Sequence, residues 1–158
     1  MRIIVAGGRD FNNYGILCCV LAQHVNLDDT IISGDAHGAD TLGARWAEAN
    51  HIPVKYYRAD WDYYGHAAGF IRNAEMAENA DMLIAFWDGK SKGTAHMIKT
   101  AQRNGLPYYV FNYNGEEIER GWIPSCASCS WPPNGTAATS HPPALTPAIP
   151  AARRCCRS

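Results

Sequence analysis

Five short extended runs alternate with helix-like segments along this chain, and that alternation most constrains what it can fold into. Arg2–Ala6 is apolar and rich in β-branched residues, as suits a strand buried on both faces. Thr30–Ser33, Pro53–Arg58, Met82–Trp87 and Pro107–Phe111 read as further strands, with Pro53–Arg58 mixed in character and expected near an edge. Asn12 and Asn13 can cap a helix that puts Tyr14, Leu17, Cys18, Leu21 and Val25 on one face. Ala39, Leu42, Trp46 and Ala47 mark a second helix. Gly65–Ala80 carries Ala67, Phe70, Ile71 and Ala74 in register and reads as a third, although Gly69 costs it ~1 kcal/mol relative to alanine. Thr94–Asn104 buries Met97, Ile98 and Ala101, and Asn104-Gly105 stops it.

Short connections between alternating strands and helices predict an α/β, three-layer Rossmann-like (Rossmannoid) fold. Its sheet would be mainly parallel and five-stranded, with helices on both faces and right-handed crossovers. A flavodoxin-like or Rossmann-like strand order would place the first strand centrally, beside the fourth. Ligands of such sheets bind beyond the carboxyl ends of the strands, where the order reverses. The turns after strands one, two and four would meet there.

The turn after the fourth strand is Asp88-Gly89-Lys90-Ser91-Lys92-Gly93-Thr94. A glycine-bearing, hydroxyl-rich turn at a helix start aims N–H groups with no internal partner at one point, which favours anions. Any strand-to-helix turn also needs a glycine and a cap, so the turn alone leaves both readings open. Three phosphate and nucleophile templates are absent: G-x-x-x-x-G-K-[ST], G-x-G-x-x-G after the first strand, and G-x-S-x-G. What remains are the turn Gly7-Gly8-Arg9-Asp10, the turn running from Ser33 and Gly34 through Asp35, His37 and Gly38 to Asp40, and the lysine-bearing turn with Ser91 and Thr94. Asp40 falls in a first helical turn, where a carboxylate also complements the helix dipole.

The chain has 158 residues, enough for a domain with a real core, and 47% of them are hydrophobic. A net charge of −1 supplies no global basic field, so nucleic acid is not expected as a partner. No apolar run reaches membrane-spanning length, and the short apolar start enters a glycine turn at once, so a cytoplasmic protein without membrane contact is expected. Seven of the nine prolines lie between Pro124 and Pro150 among alanine, serine and threonine. Residues 1–120 are therefore expected to fold, and 121–158 to form a Pro/Ala-rich disordered tail. The six cysteines form no secreted-domain framework. Cys126 and Cys129 have the gap of half a zinc site, with His141, Cys155 and Cys156 as conceivable completions. Adjacent cysteines make poor paired ligands, so no metal is expected. No cofactor is implied.

Seven motifs occur in order: Gly7-Gly8-Arg9-Asp10-Phe11, Gly38-Ala39-Asp40, Arg45-Trp46-Ala47, Ala59-Asp60-Trp61, Ala67-Ala68-Gly69, Ile71-Arg72-Asn73 and Gly93-Thr94. Together, over roughly residues 1 to 112, they closely resemble the YspA-like branch, related to YpsA, of the SMF/DprA–LOG (SLOG) superfamily. The resemblance implies a pocket for a nucleotide or nucleotide-derived ligand. It assigns Gly7, Gly8 and Arg9 to that pocket from the first turn. Ser33, Gly34, Gly38 and Asp40 come from the second, and Gly93 and Thr94 form a phosphate-facing helix start. Arg72 and Asn73 match the family's arginine-asparagine pair. Asp10, His37, Lys90 and Ser91 complete the expected ligand-binding set.

Two departures from the family pattern matter. Asp35 stands where a glycine is usual and His37 where an arginine is usual, which should weaken phosphate binding unless Asp35 points away or His37 is protonated. LOG phosphoribohydrolases carry a glutamate three residues after the helix-start threonine. Here that residue is Met97, whose thioether cannot stabilise an oxocarbenium charge or position a water. The leading expectation is thus a binding domain, a sensor or accessory module for a nucleotide-derived small molecule. The alternative is a nucleotide N-glycosidic hydrolase using Asp10, Asp60 or Asp88. A DNA-processing module, by analogy with the DprA branch, ranks third. Trp61 and Trp87 could stack on a base or simply pack, and assembly with further copies of the chain is left open.

Overall fold

In the computed structural model, which describes residues 1–121, Arg2–Gly7 forms strand β1 and lies in the middle of a six-stranded sheet. The other elements follow in chain order: α1 Tyr14–His24, β2 Thr30–Ser33, α2 Ala39–Ala49, β3 Val54–Tyr56, α3 Trp61–Tyr64, a 3-10 turn Gly65–Ala67, α4 Ala68–Glu78, β4 Met82–Phe86, α5 Lys92–Arg103, β5 Tyr108–Phe111 and β6 Glu117–Arg120. The strand order is β3-β2-β1-β4-β5-β6. All pairings are parallel except β5 with β6.

Side chains of a strand alternate between faces, and β1 uses both for core. Ile3 and Val5 pack with Leu17, Leu21 and Trp46 of α1 and α2 on one face. Ile4 and Ala6 pack with Met76 of α4 and Met97 and Ala101 of α5 on the other. β4 is buried along its whole length for the same reason. The three-layer Rossmann-like architecture is therefore as expected, with β1 central and beside β4. Cys18 is buried in the α1 core, as its place on the apolar face predicts, while Val20, off the expected stripe, is buried too. Among the described residues, no helix is long and apolar enough to cross a membrane.

Three expectations are corrected. The sheet has six strands, not five. All four residues of β6 are exposed, so Glu-Ile-Glu-Arg carries no burial pattern to read. The strand forms because the turn before it is braced: the Asn112 side chain accepts the N–H groups of Asn114 and Glu116, both at 2.9 Å, and Gly115 takes a φ of +84°. The segment read as one helix from Gly65 to Ala80 is a 3-10 turn and then α4, and a further helical turn, α3, precedes it, because Asp60 caps a helical turn at Trp61 and Gly65, at a φ of +52°, ends it. The last long helix starts at Lys92 rather than Thr94, since Ser91 is its N-cap. The expected proline-rich tail and its four cysteines lie outside the described residues.

α2 lies close against β1 because Gly43 has no side chain: a Cβ there would sit 2.6 Å from Val5 Cγ1. Gly43→Ala gains ~1 kcal/mol of helix propensity but overpacks a closed core, which typically costs about 1–3 kcal/mol. The expected result is a net loss of stability in urea denaturation. An unchanged or raised midpoint would contradict this packing.

Candidate functional site

The chain leaves β1 towards β2 and later returns to the other side of β1 as β4, so the connections at the carboxyl ends of these strands part and open a cleft. Its volume is about 1130 Å³, room for a ligand of nucleotide size. The turns after β1, β2 and β4 line it, together with a wall running from Arg58 into α4.

Asp40 and Arg72 join these walls. Asp40 lies in the first turn of α2, but its carboxylate reaches back to accept the Gly34 N–H at 3.0 Å, and the nearby N–H groups of Gly7 and Ala36 favour its charged form. Ser33 is wholly buried and does not reach the cleft; its hydroxyl donates to the Asp40 carbonyl at 3.1 Å. The Arg72 guanidinium donates to the Gly34 carbonyl and lies 4.0 Å from the Asp40 carboxylate. Its Nε donates to Asn73 Oδ1 at 3.2 Å, and Asn73 Nδ2 donates to the Gly93 carbonyl at 3.3 Å. Asn73 Nδ2 also faces His96 Nδ1 at 3.4 Å. One polar chain thus ties the turn after β2 to the start of α5. Both members of the arginine-asparagine pair line the cleft, yet much of their hydrogen bonding goes to the protein itself.

The turn after β4 differs from its sequence reading. Asp88 Oδ1 accepts the N–H groups of Lys90 at 2.9 Å and Ser91 at 2.8 Å. Those bonds, the Ser91 N–H first, hold the Asp88 carboxyl below its ordinary range. Two of the N–H groups expected to face an anion are therefore already used. Thr94 is buried, and its hydroxyl donates to Ser91 Oγ at 3.0 Å. Among the described residues, the N–H groups left open at this helix start are those of Lys92 and Gly93, which precede the first bond within the helix, Ala95 N–H to the Ser91 carbonyl. Gly93 is exposed, with nothing within 4 Å of where a Cβ would sit.

The remaining candidates divide. Gly7, Gly8, Arg9, Asp10 and His37 all line the cleft, and Arg9, Asp10 and His37 are exposed. Gly38 caps α2 at a φ of +85° without reaching the lining. Asp60 is not on the wall either, since its carboxylate accepts the Tyr63 N–H at 3.0 Å as the α3 cap. Asp35, in the left-handed region at a φ of +55°, turns its carboxylate to Arg58 Nε at 2.9 Å. That ion pair answers the charge the Asp35 departure introduces. Arg58, His66 and Phe70 line the cleft without having been expected there. The aromatic density around Trp61 was their only trace in the sequence. Arg9, Arg58, Arg72 and Lys90 face Asp10, Asp35, Asp40 and Asp88, so the lining has no net formal charge with neutral histidines. Among the described residues, no group of three or more metal-ligating side chains forms.

Burial raises the Asp40 carboxyl from its ordinary 3.8 to about 6, outweighing the opposing pull of Arg72 and of the backbone N–H groups. Between those two values the folded protein holds a proton that the unfolded chain has lost. Stability from this group is full below the ordinary value and is lost as the pH rises through about 6. Asp40→Asn cannot titrate. From about pH 4 to pH 7, wild type is expected to lose on the order of 2 kcal/mol relative to the variant, read from denaturation midpoints. A constant difference across that range would contradict the burial of this carboxyl.

Comparison with known proteins bears on the family and the fold. The family model described as "YspA, cpYpsA-related SLOG family" matches residues 1–64. The Gene 61 protein of Mycobacterium phage D29 is 33% identical over 119 residues, covering 70% of this chain and 95% of that protein. Among solved structures, DNA processing protein A (DprA) from Streptococcus pneumoniae aligns with a TM-score of 0.56 at 19% identity, over 71% of this chain and 49% of its own. The chain thus spans about half of DprA, and the likeness is one of fold. With the ordered motifs, the Rossmann-like sheet and the cleft at its switch point, these matches make the chain a member of the YspA, cpYpsA-related SLOG family.

Proposed function

We propose that the cleft binds a nucleotide or nucleotide-derived small molecule and that the domain acts as a sensor or accessory module. The observation that carries this reading is the meeting, at one switch-point cleft, of the open α5 start at Gly93 with the exposed cations Arg9 and Lys90. Unpaired N–H groups at a helix start and nearby cations suit a phosphate. Met97, buried at the cleft in place of the LOG glutamate, supports binding over LOG-type hydrolysis.

A second reading has one observation in its favour. Of the three candidate carboxylates, Asp60 caps α3 off the wall and Asp88 lines the cleft but holds the Lys90 and Ser91 N–H groups, whereas Asp10 lines the cleft and accepts no hydrogen bond among the described residues. Asp10 could activate a water to attack the anomeric carbon, with the base leaving. Base release lost in Asp10→Asn, followed chromatographically, would establish it. A DNA-processing role rests on the DprA likeness and would show as single-strand affinity that falls steeply with salt.

Calorimetry against nucleoside mono-, di- and triphosphates and ADP-ribose tests the leading reading. At least one is expected to bind, and Arg9→Ala and Lys90→Ala are each expected to weaken it about 10-fold, the scale of one charged hydrogen bond. Both side chains are exposed, so stability should hardly change. Absence of binding across the panel would sink the proposal.

A further inference from the structure

The wall between β3 and α4 presents aromatic side chains that neither the core nor the phosphate end of the cleft accounts for. α3 is capped by Asp60 and ended by Gly65, yet it buries none of its four residues. A helical turn ordered at both ends without contributing to the core is explained by what it displays. Its first residue, Trp61, lines the cleft with 51% of its surface exposed. Among the described residues, no ring stacks on this indole and its N–H donates to nothing. Phe70, 46% exposed, lines the same wall, with His96 against its ring at a centroid distance of 4.5 Å. Gly69, which weakens α4, has a local use: a Cβ there would lie 3.3 Å from Trp61 Cη2, so its absence gives the indole room beside the helix. His66 adds a ring nitrogen for a polar edge.

Two large aromatic faces left in water at a cleft wall suit a flat π-ligand that also carries polar edges. The balanced charge of the lining points the same way. With no net field to draw in a polyphosphate, discrimination has to come from the uncharged part of the ligand. We infer that Trp61, with Phe70 and His66, forms a base-binding end of the cleft that stacks on the base of a mononucleotide. This rests on the nucleotide reading above and deepens it by dividing the cleft into a base end and a phosphate end.

The test is calorimetry on the full chain with the common ribonucleoside 5′-monophosphates and, as a base-free probe, ribose 5-phosphate. At least one monophosphate is expected to bind about 10-fold or more tighter than ribose 5-phosphate, the scale of one base–aromatic stack. Trp61→Ala should abolish that advantage while leaving ribose 5-phosphate binding unchanged, which a general loss of structure would not do. Trp61→Phe should keep most of the advantage. A nucleotide is expected to quench the fluorescence of wild type, and Trp61→Phe should remove that quenching. Equal binding of ribose 5-phosphate and every monophosphate overturns the base end and leaves the nucleotide reading standing. So does a base advantage that survives Trp61→Ala, or a variant that weakens both probes alike. If no probe binds, the nucleotide reading falls and the base end with it. A single-stranded oligonucleotide bound more tightly than every monophosphate overturns the mononucleotide assignment in favour of nucleic acid.

Discussion

Strand β1 is paired on both edges and covered on both faces, and this double enclosure determines where everything else can go. A strand with no free edge forces the chain to leave on one side and return on the other. The helices that make those crossovers must lie on opposite faces to stay right-handed. Their connections then part at the carboxyl end of β1, where the cleft opens. The enclosure also explains the composition of the strand. Ile3, Ile4 and Val5 are all fully buried, and a polar side chain at any of them would lose its water without gaining a partner.

The cleft inherits a second constraint from that opening. Turns that diverge from a sheet have few apolar contacts to hold them, and here buried polar groups do so. Asp40 and Arg72 sit at the junction of the turn after β2 with α4, linked to Gly93 through Asn73. Burying such a pair is seldom a net source of stability, because desolvation offsets the attraction. Its effect is geometric: each partner needs the other in one place, and the backbone groups they bond are kept there too. The walls are therefore set before any ligand arrives, which lowers the ordering cost of binding.

Along the site, side chains and backbone divide the work differently from what residue types suggest. Asp88, a candidate carboxylate in the cleft lining, clamps its own turn; Asp60, another candidate, caps α3. Thr94, expected as a phosphate contact, is in the cleft lining but is buried with its hydroxyl on Ser91. In each case a short polar side chain finds a backbone or hydroxyl partner within three residues, and such local bonds form at little entropic cost. Among the described residues, the side chains of Arg9, Asp10 and Lys90, all exposed on the cleft lining, make no such competing bond.

The sequence by itself determined the alternating elements and the layers, because periodic burial writes itself into residue type; the central place of β1 and the meeting of three glycine turns followed only on a Rossmann-like strand order, which the structure supplies. The sequence did not reveal β6, whose Glu-Ile-Glu-Arg buries nothing and whose pairing depends on the Asn112 turn bringing it back along β5. Nor did it reveal that Asp35 would face Arg58, 23 residues away, or that Arg72 would bond the Gly34 carbonyl across 38. Only the tertiary structure decided which polar groups are consumed by the protein and which are left for a ligand. Hydrogen bonds are settled by ångström distances between segments remote in the chain, and residue identity carries no record of those distances.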